Sequence, residues 1–193
     1  MNEHLSEEFW SQRYQEGKTG WDLGLASPPL VEYFDQLENK ELTILIPGCG
    51  NAHEAEYLQR NGFKNVYLID IAKEPLNNFL ERVDGFPKGH VIHGDIFAHD
   101  KKYDLIIEQT LFCAIDPSLR EKYIAKVGSL LNKGGKYVGV LFDTHFEGGP
   151  PFGGDREEYL LYLSKHFKSI HLESCYNSVG PRSGNELFMI AQV

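Results

Sequence analysis

The chain has 193 residues, 41% hydrophobic and 24% charged, which is the make-up of a soluble globular protein long enough to bury a core without disulfide support. A formal net charge of −9 argues against a broad nucleic-acid surface, which needs a basic stripe, and no apolar run is long enough to span a bilayer. The opening MNEHLSEEFW is acidic and aromatic, unlike a secretory leader, and three cysteines without paired spacing fit reduced thiols in a cytoplasmic protein.

Ser6 is placed to cap a short helix running to about Glu16, with Trp10 and Tyr14 one turn apart on one face. Residues 17–27 are glycine-rich and read as loop. Ser27 and the prolines after it start a second helix carrying Leu30, Val31, Phe34 and Leu37. The apolar run Leu42–Ile46 is a first strand that stops at Pro47-Gly48-Cys49-Gly50. A helix from His53 to Asn61, ended by Gly62, leads to a second strand over Asn65–Ile69 that finishes on Asp70. Pro75 fits the first turn of a helix over 73–83. A third strand, His90–His93, ends at Gly94-Asp95, and a fourth, Tyr103–Glu108, has the apolar run of a strand covered on both faces. Asp116-Pro117 begins a helix to about Leu131, and Gly134-Gly135 precedes a fifth strand, Lys136–Phe142. Residues 143–154 are too rich in glycine and proline for regular structure. A helix over 155–166 and two strands, 168–174 and 186–192, complete the chain.

This alternation predicts an α/β fold of Rossmann type: a mostly parallel seven-stranded sheet with helices on both faces. The last strand follows without a helix and is expected to run antiparallel at or near an edge. Ligands of such sheets bind beyond the carboxyl ends of the strands, near the reversal of strand order, which singles out Pro47–Asn51, Asp70, Asp95, Gln109 and Phe142-Asp143.

Gly48 and Gly50 allow close backbone approach to a ligand, and Asp70, about twenty residues on, is placed to accept from a ribose diol. Ala52 stands near the place of a third fingerprint glycine, which disfavours a pyrophosphate. Asp95 either accepts from an adenine amino group or caps the next turn. Gln109 and the apolar residues after it suit the floor of a cofactor site. Trp10 and Tyr14 have the spacing of packing residues, whereas Trp21, in a glycine-rich loop, is placed to lie over something, and aromatic faces attract a sulfonium as they do other cations. Arg120, at a helix start where a cation opposes the dipole, reads as half of a surface ion pair. Arg182, in Gly180-Pro181-Arg182-Ser183-Gly184, suits an anion at the ligand edge. The histidines show no metal-ligand spacing, and no nucleophile motif or hydrolytic acid pair is present. Methyl transfer from a sulfonium needs in-line positioning more than acid–base groups.

The run from Phe9 to Asp22 (FWSQRYQEGKTGWD), Ile46-Pro47-Gly48-Cys49-Gly50, Leu111 to Pro117 (LFCAIDP), Arg120, Gly148 to Phe152 (GGPPF) and Pro181-Arg182-Ser183-Gly184 resemble the thiopurine S-methyltransferase family, most of all its halide/thiol methyltransferase branch. The resemblance extends over nearly the whole chain. It implies a class I methyltransferase fold using S-adenosylmethionine, with S-adenosylhomocysteine as product. By position it implies that Trp10 and Trp21 cover the cofactor, with Tyr14 standing where relatives often have Trp, that Gly48 lies in the loop beside its methionine part, and that Asp70 binds the ribose. It likewise implies that Asp95 and Ile96 contact the adenine and that Gln109 lies near the sulfonium. Arg120 and Arg182 match arginines that face the acceptor. Phe142 stands where the plant halide/thiol enzymes carry tyrosine, and Asp143 follows it as in the thiopurine branch; both are candidates for acceptor positioning.

The resulting expectation is one domain over 1–193, with residues 1–40 as an N-terminal helical lid, its first 27 residues over the cofactor, and residues 41–193 as the core. The function expected is methyl transfer from S-adenosylmethionine to a thiol, hydrosulfide, thiocyanate, thiopurine or halide, by a monomer without metal, nucleic acid or membrane. The alternatives are a nicotinamide-dependent oxidoreductase, which the same strand–turn–acid pattern serves, and a cofactor-binding protein without catalysis.

Overall fold

The computed structural model describes residues 5–193. Its centre is a strand buried at all four positions, β1 (Ile44–Pro47). Ile44 and Ile46 pack on one side with Leu105, Ile107, Val138 and Val140, while Leu45 packs on the other with Ile106, Tyr137 and Leu141. The period-two alternation of these strands therefore feeds two apolar cores, one on each face of the sheet. Helices α2 (Pro28–Asp35), α3 (His53–Arg60) and α4 (Lys73–Arg82) cover the first face with Leu30, Phe34, Leu58 and Phe79. Helices α6 (Arg120–Leu130) and α7 (Arg156–Leu163) cover the second with Tyr123, Val127, Tyr159 and Leu163. Ahead of them all, α1 (Glu7–Gln15) is capped by Ser6, whose side chain accepts from the Phe9 N–H.

The strands β2 (Val66–Asp70), β3 (Val91–His93), β4 (Tyr103–Gln109), β5 (Leu131–Phe142), β8 (Ser169–Ser174) and β9 (Glu186–Gln192) join β1 in a seven-stranded sheet of order β3-β2-β1-β4-β5-β9-β8. From β1 the chain moves outward to β3, then returns to lay β4 on the other side of β1, so strand order reverses between β1 and β4. Strands β1 to β5 pair in parallel, and β9 runs antiparallel to both β5 and β8. The antiparallel last strand lies one place in from the edge, and β8 is the edge strand.

Several expectations need correction. The segment 143–154 contains a two-stranded ribbon, β6 (Thr144–His145) against β7 (Gly153–Gly154). A Cβ on Gly153 would lie 1.9 Å from the Thr144 carbonyl oxygen, so glycine here permits strand contact instead of excluding it. The helix expected over 116–131 is split: Asp116 caps a 3-10 turn over Pro117–Leu119, and α6 begins at Arg120. Strand β5 begins at Leu131, where α6 ends, and runs through Gly134-Gly135 with a register shift against β4. Leu37 falls beyond α2, and a short helix, α5 (Leu111–Ala114), follows β4. The lid expectation includes residues 1–4, which lie outside the described residues.

Candidate active site

A cavity of about 320 Å³ lies at the carboxyl ends of β1 to β4, at the reversal of strand order. Its base is the glycine turn after β1. Gly48 and Gly50 have φ of +53° and +52°, and a Cβ on Gly50 would lie 2.8 Å from the Tyr14 hydroxyl. Two residues with side chains also adopt left-handed backbone at the cavity wall, Ala52 at φ 54° and Thr110 at φ 63°. Such strain persists only where the surroundings hold it, and it gathers at ligand sites.

Asp70 closes the turn. Its Oδ2 accepts from the Gly50 N–H at 2.8 Å and its Oδ1 from the Ala72 N–H at 2.8 Å, and burial pushes its carboxyl upward. Asp95 caps the 3-10 turn over Ile96–Ala98 through the Phe97 N–H, and both Asp95 and Ile96 line the cavity. From the end of β4, Gln109 lines it too, with its Oε1 buried and without a hydrogen-bond partner. A buried amide oxygen left in this state costs free energy unless a ligand or water donates to it.

Above the cavity stand Trp10 and Tyr14 from α1 and Trp21 from the loop that follows. The Trp21 ring is edge-on to Trp10 at 5.5 Å and to Tyr14 at 5.8 Å. Burial and the neighbouring Asp70 hold the Tyr14 phenol well above its ordinary pKa. The next residue, Asp22, accepts from the Gly24 N–H at 2.7 Å, from Asn51, and meets His53 Nε2 at 2.8 Å. The hydrogen bond with His53, leading these contacts, holds the Asp22 carboxyl far below the usual range. The lining from residues 111–122 and 150–151 is mostly apolar, with Leu111, Cys113, Ile115, Leu119, Pro150 and Pro151, and it also holds Asp116 and Lys122. Burial pushes the Cys113 thiol up to about 12. Lys122 is the single Lys or Arg among the described lining residues, against five carboxyls, Asp22, Glu54, Asp70, Asp95 and Asp116.

Behind the floor, Glu108 of β4 is fully buried. Its carboxylate accepts from the Phe112 N–H at 2.9 Å and from the hydroxyls of Tyr123 and Tyr137 at 2.8 and 2.7 Å. It thus ties together β4, α5, α6 and β5, and Gly139 opposite it leaves the space: a Cβ there would lie 2.3 Å from Glu108 Cβ.

All nine residues assigned from sequence to the cofactor, Trp10, Tyr14, Trp21, Gly48, Gly50, Asp70, Asp95, Ile96 and Gln109, line this one cavity. The four assigned to the acceptor do not. Arg120 is buried, donating to Glu158 Oε1 and to the Gly153 carbonyl, each at 2.7 Å, with its guanidinium 4.8 Å from the Phe112 ring centre. This is an interior tie to the 143–154 segment, not a surface pair. Arg182 is also buried, between Glu186, Phe142 and the Trp21 carbonyl. Phe142 packs against Phe146, and the Asp143 N–H donates to the Asn185 carbonyl. Sequence reasoning placed Asn51 only within the strand-end turn Pro47–Asn51, and it missed Asp22, His53, Glu54 and Glu108. Only Asp22 had a local signal, an acid two residues before a glycine, which suits an Asx turn.

Residues 5–188 match the family model for Thiopurine S-methyltransferase (TPMT). The chain is 28% identical over 195 residues to thiocyanate methyltransferase 1 of Brassica oleracea, covering 96% of this chain and 85% of that one. It is 27% identical over 184 residues to probable thiol methyltransferase 2 of Arabidopsis thaliana, covering 92% and 81%. Among solved structures, 1,6-didemethyltoxoflavin-N1-methyltransferase of Burkholderia thailandensis, with bound 1,6-didemethyltoxoflavin and S-adenosylhomocysteine, superposes with a TM-score of 0.77 at 14% identity, covering 96% of this chain and 86% of that one. At that identity the likeness speaks for the fold.

Proposed function

The chain belongs to the thiopurine S-methyltransferase family, and on that premise we propose that its cavity binds S-adenosylmethionine and delivers the methyl group to a small thiol with an apolar substituent. When bound, S-adenosylmethionine supplies an electrophilic methyl carbon on a positively charged sulfur. The residues fit such a group. Its ribose has an acceptor in Asp70, the buried Gln109 Oε1 lacks a donor among the described residues, and the turn at Gly48 and Gly50 carries no side chain of its own at those two positions. The aromatic faces of Trp10, Tyr14 and Trp21 and the acidic lining suit a cationic ligand. Residues 5–27 act as its lid in this reading, over a core that begins near residue 41.

The observation that carries the acceptor class is the division of the lining. Beyond the strand ends the lining is mostly apolar, with Leu111, Cys113, Ile115, Leu119, Pro150 and Pro151 beside Asp116 and Lys122, and neither Arg120 nor Arg182 reaches it. An apolar wall rewards burial of an alkyl or aryl group at about 25 cal/mol per Å² and offers a halide nothing comparable. No dedicated base is needed, because a thiol with a pKa of about 8.5 is already partly ionised near neutrality and gives its proton to water. Arg120 serves by holding Gly153, and through it the segment that carries Pro150 and Pro151.

The test has two steps. S-adenosylhomocysteine at a hundredfold over its dissociation constant is expected to stabilise the protein by about 2.7 kcal/mol, while NAD does not. Thiols with aryl or alkyl groups are then expected to be methylated with higher kcat/KM than thiocyanate or iodide. Absence of a thermal shift with S-adenosylhomocysteine defeats the cofactor assignment, and faster turnover of iodide than of any thiol defeats the acceptor class. The same reading takes the protein as a cytoplasmic monomer with reduced cysteines, all three of which are free in the structure; light scattering checks the mass.

A further inference from the structure

Arginine carries five N–H donors and keeps its charge at any physiological pH, so burying one demands partners that justify the cost. Arg182 lies in a 3-10 turn, Gly180–Arg182, between β8 and β9, and is 8% exposed. Its Nη1 faces Glu186 Oε1 at 3.3 Å, and Glu186, the first residue of β9, is itself 3% exposed. Its guanidinium lies 5.3 Å from the Phe142 ring centre. The remaining contact leaves the core: Nη2 donates to the backbone carbonyl of Trp21 at 2.6 Å. The next residue, Asp22, is gripped from the opposite side by Asn51 and His53, at the start of α3. The Trp21–Asp22 unit is thus pinned between the turn that leads into β9 and the turn after β1, and the indole it carries forms the middle of the aromatic cover. The side-chain bonds from α1 to the body, Gln15 to Glu74 and Glu7 to His93, are exposed, where such contacts contribute little.

We propose that Arg182, backed by Glu186, is a positioning residue for the cofactor: it clamps the Trp21 carbonyl and so holds the indole over the cavity. The inference rests on the reading of that cavity as the S-adenosylmethionine site. An arginine that bound the acceptor would set the acceptor KM. A clamp on the lid sets cofactor affinity and leaves the acceptor KM at saturating cofactor nearly unchanged.

The test uses the full chain. Arg182→Met keeps the bulk and removes both charged donors. Because it strands the Glu186 carboxylate, Arg182→Met/Glu186→Gln is made beside it, and Arg182→Lys preserves the charge without the fork. S-adenosylhomocysteine is titrated calorimetrically, and tryptophan emission is followed, the chain having only Trp10 and Trp21. The dissociation constant is expected to rise about tenfold or more in both Met variants, as for loss of a charged hydrogen bond, with Arg182→Lys in between. The emission change on binding should shrink in the same order, while the thiol KM at saturating S-adenosylmethionine stays within about twofold of wild type. An unchanged dissociation constant in any folded Met variant overturns the clamp, as does a large rise in thiol KM alone, which would return Arg182 to the acceptor. Wild-type protein that fails to bind S-adenosylhomocysteine overturns the reading of the cavity, and the clamp with it.

Discussion

Asp70 ties the glycine turn to the second strand, and its two backbone hydrogen bonds draw the Gly50 and Ala72 amides onto one carboxylate. The residue therefore holds local structure and offers its remaining lone pairs to a ligand. Asp70→Ala is expected to weaken S-adenosylhomocysteine binding by about 1.5–3 kcal/mol, the range for hydrogen bonds with a charged partner. Thermal stability should fall as well, since two amides lose their acceptor. Asp70→Asn, which retains one acceptor oxygen, should fall between wild type and alanine in both measurements. Calorimetry with thermal unfolding on the same samples checks this, and unchanged affinity in the alanine variant would leave the acid a turn cap alone.

The end of β4 illustrates the scale of the element. Gln109 and Thr110 reach the cavity because Glu108, one residue earlier, points the other way and binds α5, α6 and β5 at once. Burial raises the Glu108 carboxyl, although its three donors pull the other way. For a carboxyl raised in the folded state, the native protein holds a proton that the unfolded chain releases above about pH 4.3, so stability falls as pH rises from there through the folded value. Glu108→Gln mimics the protonated form. Its destabilisation relative to wild type is expected to be largest near pH 5 and to shrink toward pH 8, read from denaturant midpoints at the two pH values. A destabilisation that grows with pH would mean that the three donors outweigh burial and that the group is ionised.

For the whole molecule, the two cores and the aromatic cover are separate assemblies. Among the described residues, neither apolar core draws a side chain from before Leu30. Removal of residues 1–27 should accordingly leave a chain that unfolds cooperatively and binds S-adenosylhomocysteine at least about tenfold more weakly, because the deletion takes Trp10, Tyr14 and Trp21 together. Denaturant unfolding and calorimetry on the truncated chain provide the check. Equal affinity with and without the segment would remove it from the binding site. No described helix is long and apolar enough to cross a membrane, and the described cavity lining, with five carboxyls against Lys122, favours a cation over an anion.

Local chemistry determined much of this protein from sequence. Apolar runs broken by Gly48-Gly50, Asp70 and Asp95 marked the strands and their ends, because buried strands, left-handed turns and caps each demand particular residue types within a few positions. The cavity-lining residues at the strand ends were legible for the same reason, since in a parallel sheet the carboxyl ends of the strands face one edge, whereas Trp10, Tyr14 and Trp21 were placed by the resemblance. Only the tertiary structure decided the arginines. Arg120 and Arg182 meet Gly153, Glu158, Glu186 and Trp21 across 33 to 161 residues of chain, apart from Glu186 four residues on. No local pattern records such partners, and a loop arginine that binds an anion looks in sequence like one that clamps a carbonyl. Glu108 was hidden in the same way. It reads as the polar end of an apolar strand, and its tyrosine partners lie 15 and 29 residues away on other elements. A buried charge is settled by whichever donors the fold brings to it, and that is a property of packing rather than of sequence neighbours.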